Sequence, residues 1–169
     1  MILFLFKIYI NIRKITSPIF YWILRFTIHR GKLPNIWNDA KKLNKSEFSN
    51  LINSYPYKSD FFRGIIDNTL RQPDFFFVSD RNSDRDCDDF AQMWYWWADY
   101  NNYETYMVAI SNGIFKEGHM LTIIKKDGCY KLADYIIRGN FNSIDEIKKY
   151  IIKYDNYDKL LWYVVKMNF

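Results

Sequence analysis

The dipeptide Asp127-Gly128 constrains the fold more than any other feature of this chain, because it separates two apolar runs rich in β-forming residues. Asp-Gly is favoured in two-residue hairpin turns, where both central residues need a positive φ. We therefore predict antiparallel strands at 119–125 and 130–135, joined by this turn. A two-residue turn also fixes the pairing register, and it places Leu121 opposite Asp134.

The segments around this hairpin predict helices and further strands on both sides of it. The strongest predicted helix is 88–100, whose apolar residues recur at helical spacing and whose first turn carries Asp88 and Asp89. Three further helices are predicted: one that starts at Lys45-Ser46-Glu47, one at 60–70 that ends at Gln72-Pro73-Asp74, and one at 143–154. Two further strands are predicted, at 103–110 and 160–167. This order predicts an α+β domain in which a central helix packs on an antiparallel sheet.

Composition indicates one globular domain with a ring-rich core, since the chain has 169 residues and 20% of them are aromatic. The charge is uneven. Residues 1–45 hold nine Lys/Arg and one acid, a net +8, whereas residues 46–169 hold fifteen Lys/Arg and eighteen acids, a net −3. A basic segment on a slightly acidic body is not typical of a nucleic-acid-binding protein, so we expect no such partner. Two cysteines exclude a disulfide scaffold and fit the reducing cytoplasm.

Residues 1–45 are interpreted as a basic, apolar, helical extension and residues 46–169 as the main domain. Lys and Arg interrupt residues 1–28, and the apolar stretches there are shorter than the ~20 residues of a membrane span. Three interpretations stay open: helices packed on the body or on a partner, attachment to a membrane surface, and an uncleaved membrane anchor. Docking on a partner would place the domain in a larger assembly, such as a phage particle.

Cys87 opens the strongest helix directly after a polar loop at 79–86. The free N–H groups and the dipole at a helix N-terminus favour the thiolate, which is the nucleophilic form of cysteine. The Cys87 N–H would also stabilise an oxyanion, with a side chain of the loop as the second donor. Asp86, Asp88 and Asp89 act in the opposite direction, because negative charges disfavour a second one nearby. A catalytic Cys87 therefore needs a neighbouring imidazole.

His119 begins the first strand of the hairpin, and the predicted register brings Asp134 beside it. Side chains alternate along a strand, so the two residues share a face as diagonal neighbours about 7–8 Å apart at the backbone. A carboxylate at that position would hold the tautomer of the imidazole and stabilise its cation. Cys129 points to the opposite face, roughly 17 Å away along the strand, and is interpreted as a structural thiol.

Three short motifs carry a resemblance to a known family: DCDDFA at 86–91, GHML at 118–121 and LAD at 132–134. Together they resemble the core of the transglutaminase-like cysteine peptidase superfamily. They are most similar to the bacterial transglutaminase-like cysteine proteinases, which would fit a bacterial or phage origin. The resemblance covers residues 55–136, about half of the chain.

The resemblance implies a papain-like fold in which Cys87 is the nucleophile, His119 is the general base and acid, and Asp134 orients His119. Arg85 stands where a glycine is expected, and Met120 stands where a small residue is commoner. We therefore expect a cysteine-dependent hydrolase or acyl transferase that acts on amide bonds of proteins or peptides, the peptides of peptidoglycan among them. Hydrolysis and transamidation both stay open.

A non-catalytic binding or assembly protein that keeps the papain-like fold is the alternative. Two features favour it: the acids around Cys87, and an aromatic surface that Trp94, Trp96 and Trp97 would supply if they do not pack in the core. No cofactor and no metal are expected. The cysteines and histidines lack zinc-site spacing, and the Asp-rich loop at 80–89 lacks the pattern of a calcium loop.

Overall fold

A computed structural model of the chain describes residues 36–57, 73–78, 85–112, 118–155 and 160–165. These residues form an antiparallel five-stranded sheet packed against helices, which confirms the predicted α+β class. The elements in chain order are α1 (Ile36–Ala40), α2 (Lys45–Asn53), α3 (Pro73–Val78), α4 (Cys87–Tyr100), β1 (Glu104–Ser111), β2 (Gly118–Lys126), β3 (Cys129–Ala133), β4 (Ile137–Phe141), α5 (Ile144–Tyr154) and β5 (Leu161–Val165). The strand order is β4-β3-β2-β1-β5.

Strands β2 and β3 form the hairpin that the sequence predicts. Asp127 (φ 52°) and Gly128 (φ 77°) both have positive φ, as a type I′ turn requires. Lys126 lies opposite Cys129 at the turn, and the ladder continues in this register along β3. The pairing inferred from the turn is therefore confirmed.

Helix α4 packs on one face of the sheet and contributes Phe90, Trp94 and Trp97 to the aromatic core. The Thr122 hydroxyl of β2 donates a buried 2.6 Å hydrogen bond to the Ala91 carbonyl of α4. Trp94 and Trp97 are buried, and Trp96 packs against the same cluster. These tryptophans therefore belong to the core, and the interpretation of Trp94 and Trp97 as an aromatic surface is wrong.

Helix α5 covers the opposite face of the sheet. Ser143 caps it by accepting a hydrogen bond from the backbone N–H of Glu146, which explains why the predicted start at 143 holds. Ile147 and Ile151 of α5 are fully buried against apolar residues of β1, β2 and β3. The sheet is thus buried on both sides, and its ends are the places where polar side chains can meet.

The residues before α3 pack against α4. Asn44 and Glu47 form a capping box at the start of α2, where the sequence predicts a helix. The Trp97 indole N–H donates to the Leu43 carbonyl across 3.0 Å, and the Phe48 ring stacks on the Trp97 ring with centroids 5.4 Å apart. Residues 36–45, counted with the extension in the sequence, thus contact the body.

Residues 1–35 lie outside the described residues, and the three interpretations of residues 1–28 lie there with them. Across the part of the chain that the structure describes, no helix combines the length and the apolar character that crossing a membrane requires.

Two elements differ from the sequence prediction. Pro73 begins α3, although the sequence assigns it to the end of a helix at 60–70, which lies outside the described residues. Proline is favoured at the first position of a helix because no helical hydrogen bond needs its missing N–H. Strand β4 is not predicted, because Gly139 (φ 64°) interrupts it. A Cβ at Gly139 would lie 2.4 Å from the Phe141 ring, so only glycine fits there.

Candidate active site

Asp86 sets the position of Cys87 by capping α4. Asp86 has an extended backbone, and its side chain accepts a 3.3 Å hydrogen bond from the backbone N–H of Asp88. Aspartate is among the preferred N-cap residues because its carboxylate satisfies an N–H that has no partner within the helix. Cys87 is therefore the first residue of α4, one residue earlier than the predicted helix start.

The Cys87 side chain lies between α4 and the beginning of β2. It packs against a small buried cluster that includes Met107 of β1 and Met120 of β2, and the residue itself is partly exposed. The backbone N–H of Met120 lies close enough to the Cys87 sulfur to lower the pKa of the thiol. Met120 follows His119 directly, so the sulfur contacts the backbone next to the predicted base.

The surroundings of Cys87 favour the neutral thiol. Burial is the largest cause that raises the pKa of Cys87 well above its usual value, and the charges of Asp88 and Asp86 are the next two. The backbone N–H of Met120 lowers the pKa of Cys87 but does not compensate for these effects. The sequence identifies both the helix N-terminus and the acids, and in the folded chain burial and the acids dominate.

Replacing Asp86 with asparagine tests this balance. Asparagine caps a helix as well as aspartate does, so the variant removes a negative charge and keeps the start of α4. We expect a lower pKa of Cys87 and an iodoacetamide alkylation rate at pH 7 that rises about three- to tenfold. Mass spectrometry of the labelled peptide measures this rate. Asp99→Asn makes the same charge change near the far end of α4 and should leave the rate unchanged. An equal rate in all three proteins would mean that burial alone sets the pKa.

His119 and Asp134 form the pair that the hairpin register predicts. Nε2 of His119 lies 3.2 Å from Oδ2 of Asp134, whose side chain is only 5% exposed. The His119 side chain is 30% exposed. With Nε2 bound to the carboxylate, Nδ1 is the ring nitrogen that can exchange a proton with another group.

The Asp134 carboxylate has two further partners that fix its orientation. Its Oδ1 accepts a 3.1 Å hydrogen bond from the backbone N–H of Ile136, and its Oδ2 accepts a 2.8 Å bond from Nη2 of Arg138. Burial raises the pKa of Asp134, but the bonds from His119 and Ile136 and the charge of Arg138 together lower it. Asp134 is therefore ionised at neutral pH and can hold a positive charge on His119.

The Cys87 sulfur lies beside the backbone of Met120, and no hydrogen bond joins it to the His119 ring among the described residues. Side chains alternate along β2, so His119 and Met120 point to opposite faces of the sheet. A Cys87–His119 pair therefore has to form at the end of the sheet, where the sulfur contacts the strand backbone. Such a pair requires the partly exposed His119 ring to turn toward that end.

Tyr57 lies at the same end of the sheet, and the sequence analysis missed it. Its ring stacks on Phe90 with centroids 6.2 Å apart and meets Tyr135 edge-on at 6.2 Å. Phe90 is one turn after Cys87, and Tyr135 follows Asp134, so the Tyr57 ring packs between residues next to Cys87 and Asp134. Partial burial first, and then the negative charges of Cys87 and its neighbouring acids and of Asp134, raise the pKa of the Tyr57 hydroxyl. The hydroxyl therefore stays a hydrogen-bond donor.

Arg85, which stands where the resemblance predicts a glycine, is fully buried beside the N-cap. Its Nε donates a 2.9 Å hydrogen bond to the Phe76 carbonyl of α3, and its guanidinium lies 4.5 Å from the centroid of the Tyr55 ring. These contacts fasten the residue before Asp86 to the segments that carry Tyr57 and α3. Arg85 thus stabilises the position at which α4 begins.

Within the described residues, one group has ligand atoms close enough to share a cation: Asp86, Cys87 and Asp88, whose atoms lie within 4.8 Å of one another. Asp86 also caps α4 there.

Cys129 lies at the turn end of β3, where its sulfur is 3.8 Å from Oδ1 of Asn140. It is a free thiol far along the strand from Asp134.

Comparisons with known proteins give no match: no family model, no curated protein and no solved structure matches this chain.

Proposed function

We propose that this chain is a cysteine-dependent hydrolase or acyl transferase that acts on amide bonds through Cys87, His119 and Asp134. The observation that carries the proposal is the hydrogen bond between His119 and the buried, ionised Asp134 at the end of the sheet where Cys87 begins α4. A buried carboxylate that orients an exposed imidazole is the arrangement a general base needs.

The proposal includes a papain-like, transglutaminase-like core. Two features support it: a helix that begins with a cysteine packs on an antiparallel sheet, and the cysteine, histidine and aspartate follow in that chain order. The substrate class we propose is a protein or peptide, with peptidoglycan peptides included. Residues 1–45 would dock the domain on a membrane surface or on a larger assembly.

The proposed reaction begins from a neutral Cys87 thiol and a neutral His119. Nδ1 of His119 accepts the thiol proton while the sulfur attacks the carbonyl carbon, so that a C–S bond forms and the carbonyl becomes an oxyanion. Collapse of this intermediate breaks the C–N bond, and His119 returns the proton to the leaving amine. Water or a second amine then attacks the thioester, which regenerates Cys87 and gives hydrolysis or transamidation. Asp134 holds the proton on Nε2 throughout.

Tyr57 supplies the second oxyanion donor in this scheme. The first donor is the backbone N–H of Cys87, which points out of the helix N-terminus. The Tyr57 hydroxyl lies near Cys87 and keeps its proton because its pKa is raised. We propose it in place of a side chain of the 79–86 loop; Arg85, one of the two described residues of that loop, is buried against the Tyr55 and Phe76 rings.

A test of this function uses p-nitrophenyl acetate, whose acetyl group reports a reactive thiol without knowledge of the natural substrate. We expect acetylation of Cys87, a burst of nitrophenolate, and slower acetylation in His119→Ala. Acetylation of Cys129 is the internal control, because it should be slow and unaffected by the His119 substitution. Faster acetylation of Cys129 than of Cys87, or an acetylation rate of Cys87 that does not depend on His119, would contradict the proposal.

The second candidate function, a non-catalytic binding or assembly protein, is favoured by one observation. Burial and the charges of Asp88 and Asp86 raise the pKa of Cys87, and a binding protein has no need of a reactive thiol. The two functions separate in the same assay. A binding protein would show a slow Cys87 reaction that follows the thiolate fraction alone and keeps its rate in His119→Ala.

A further inference from the structure

A cavity of about 390 Å³ lies between α4 and the turn end of the β2–β3 hairpin. Trp97, one of its lining residues, is ten residues beyond Cys87 on α4, or about 15 Å along the helix axis. The cavity is therefore separate from the candidate active site. Its volume falls within the range of roughly 300–1,000 Å³ that is usual for small-molecule sites.

Cationic side chains dominate the polar lining of this cavity. Lys45, Lys126 and Lys131 line it, and Asp127 is the acid among the lining residues. Lys45 and Lys131 line the same cavity, and the positive charge of Lys131 is the largest cause that lowers the pKa of Lys45. Among the described residues, no carboxylate forms an ion pair with either lysine.

This meeting of like charges is unfavourable unless an anion lies between them. Lys45 is also the first residue of α2, whose N-terminal N–H groups are capped by Asn44 and Glu47, so the lysines supply the positive charge of the cavity. A dianion complements two ammonium groups better than a monoanion does, and lysine commonly binds phosphate in proteins as a point charge.

Two aromatic rings, those of Trp97 and Tyr103, form one wall of the cavity. The Tyr103 ring stacks on the Trp97 ring with centroids 5.6 Å apart and an interplanar angle of 26°. The indole N–H of Trp97 is occupied by the Leu43 carbonyl, so Trp97 offers only ring surface to the cavity. Nζ of Lys126 lies 4.8 Å from the centroid of the Tyr103 ring.

We propose that this cavity binds a small phosphate monoester, with its phosphate between Lys45 and Lys131 and its organic group against the Tyr103 ring. Such a site does not depend on the chemistry of Cys87, and nothing in the proposed acyl transfer requires it. It gives the chain a second ligand, at the opposite end of α4 from the candidate nucleophile.

Calorimetric titration of the full-length protein with phenyl phosphate tests this site, with chloride added to keep the ionic strength constant. We expect saturable binding, tighter than that of inorganic phosphate because the ring also contacts Tyr103. Lys45→Gln and Lys131→Gln should each weaken binding about tenfold or more, since each removes a charged hydrogen-bond donor. Lys149→Gln removes an exposed lysine of α5 and should bind as the wild type does.

Benzoate serves as the control for ligand class, because it has the same ring and a single charge. Equal affinity for benzoate and phenyl phosphate would overturn the assignment to phosphate. Equal binding of phenyl phosphate by the wild type and all three lysine variants, or no binding by any of them, would overturn the site itself.

Discussion

Replacing Asp134 with asparagine is expected to slow the acetylation of Cys87 by about 10³–10⁴-fold. Asp134 accepts the N–H of His119 at Nε2, and this leaves Nδ1 free to take the thiol proton. An amide NH₂ group at the Oδ2 position would donate to Nε2 and favour the tautomer with its proton on Nδ1, which cannot act as a base. The nitrophenolate burst and the mass of acetyl-Cys87 measure the rate.

The stability of the Asp134→Asn variant separates catalysis from structure. We expect a loss of about 1–3 kcal/mol in the free energy of unfolding at pH 7, because the amide leaves a donor facing Arg138 or the Ile136 N–H. The rate loss corresponds to about 4 kcal/mol or more in activation free energy. A rate loss no larger than the stability loss would make Asp134 a structural residue only.

The stability difference between wild type and Asp134→Asn should depend on pH in a defined direction. The pKa of Asp134 is lowered in the folded state. Its stabilising contribution is therefore complete above the unfolded value of about 3.9 and is lost as the pH falls through the lower folded value. Chemical unfolding of both proteins between pH 7 and pH 3 measures the difference, which should shrink only in the acidic part of this range.

Arg138→Gln is the matched control for these measurements. Arg138 binds Oδ2 of Asp134 at 2.8 Å and also Oδ1 of Asp155 at 3.4 Å, and it does not touch His119 in these contacts. Its replacement should lower the stability and leave the acetylation rate of Cys87 within a few-fold of the wild-type rate. A rate loss as large as that of Asp134→Asn would show that the whole ion-pair cluster, and not the contact to His119, governs the reaction.

Local signals in the sequence were sufficient to predict the hairpin register and the helix start that position the candidate site. Asp127-Gly128 fixes the turn, the turn fixes the register, and the register places Asp134 beside His119, as the structure confirms. The start of α4 follows similarly from Asp86, because an N-cap is a property of a few consecutive residues. Each of these inferences spans a short segment whose geometry the backbone determines.

The remaining parts of the site depend on contacts between segments that are distant in sequence. Tyr57 precedes Cys87 by thirty residues, and no pattern near it indicates that its ring packs on Phe90. The pKa of Cys87 depends on how deeply the sulfur is buried, which packing sets and spacing does not. The burial of Arg85 likewise depends on the Tyr55 and Phe76 rings. The sequence identifies the charged residues around Cys87, but it does not show how burial and charge combine to set the pKa of Cys87.

Replacing Tyr57 with phenylalanine is expected to slow the acetylation of Cys87 by about 10²-fold, the usual loss when one oxyanion donor is removed. The phenylalanine ring keeps the stack on Phe90 and the edge contact with Tyr135, so only the hydroxyl is lost. Alkylation of the same thiol by iodoacetamide forms no oxyanion, and its rate should stay within about twofold of the wild-type rate. The ratio of the two rates therefore reports the oxyanion donor and not the reactivity of the thiol.

Tyr135→Phe is the matched control, because the Tyr135 hydroxyl donates to the Asn53 carbonyl at 3.4 Å and not to the candidate site. Both reactions of Cys87 should keep their wild-type rates in that variant. If Tyr57→Phe slows acetylation and alkylation equally, the hydroxyl acts on the thiol and the oxyanion has another donor. If Tyr57→Phe changes neither rate while Cys87 still depends on His119, the acyl-transfer function stands and Tyr57 serves only to pack against Phe90.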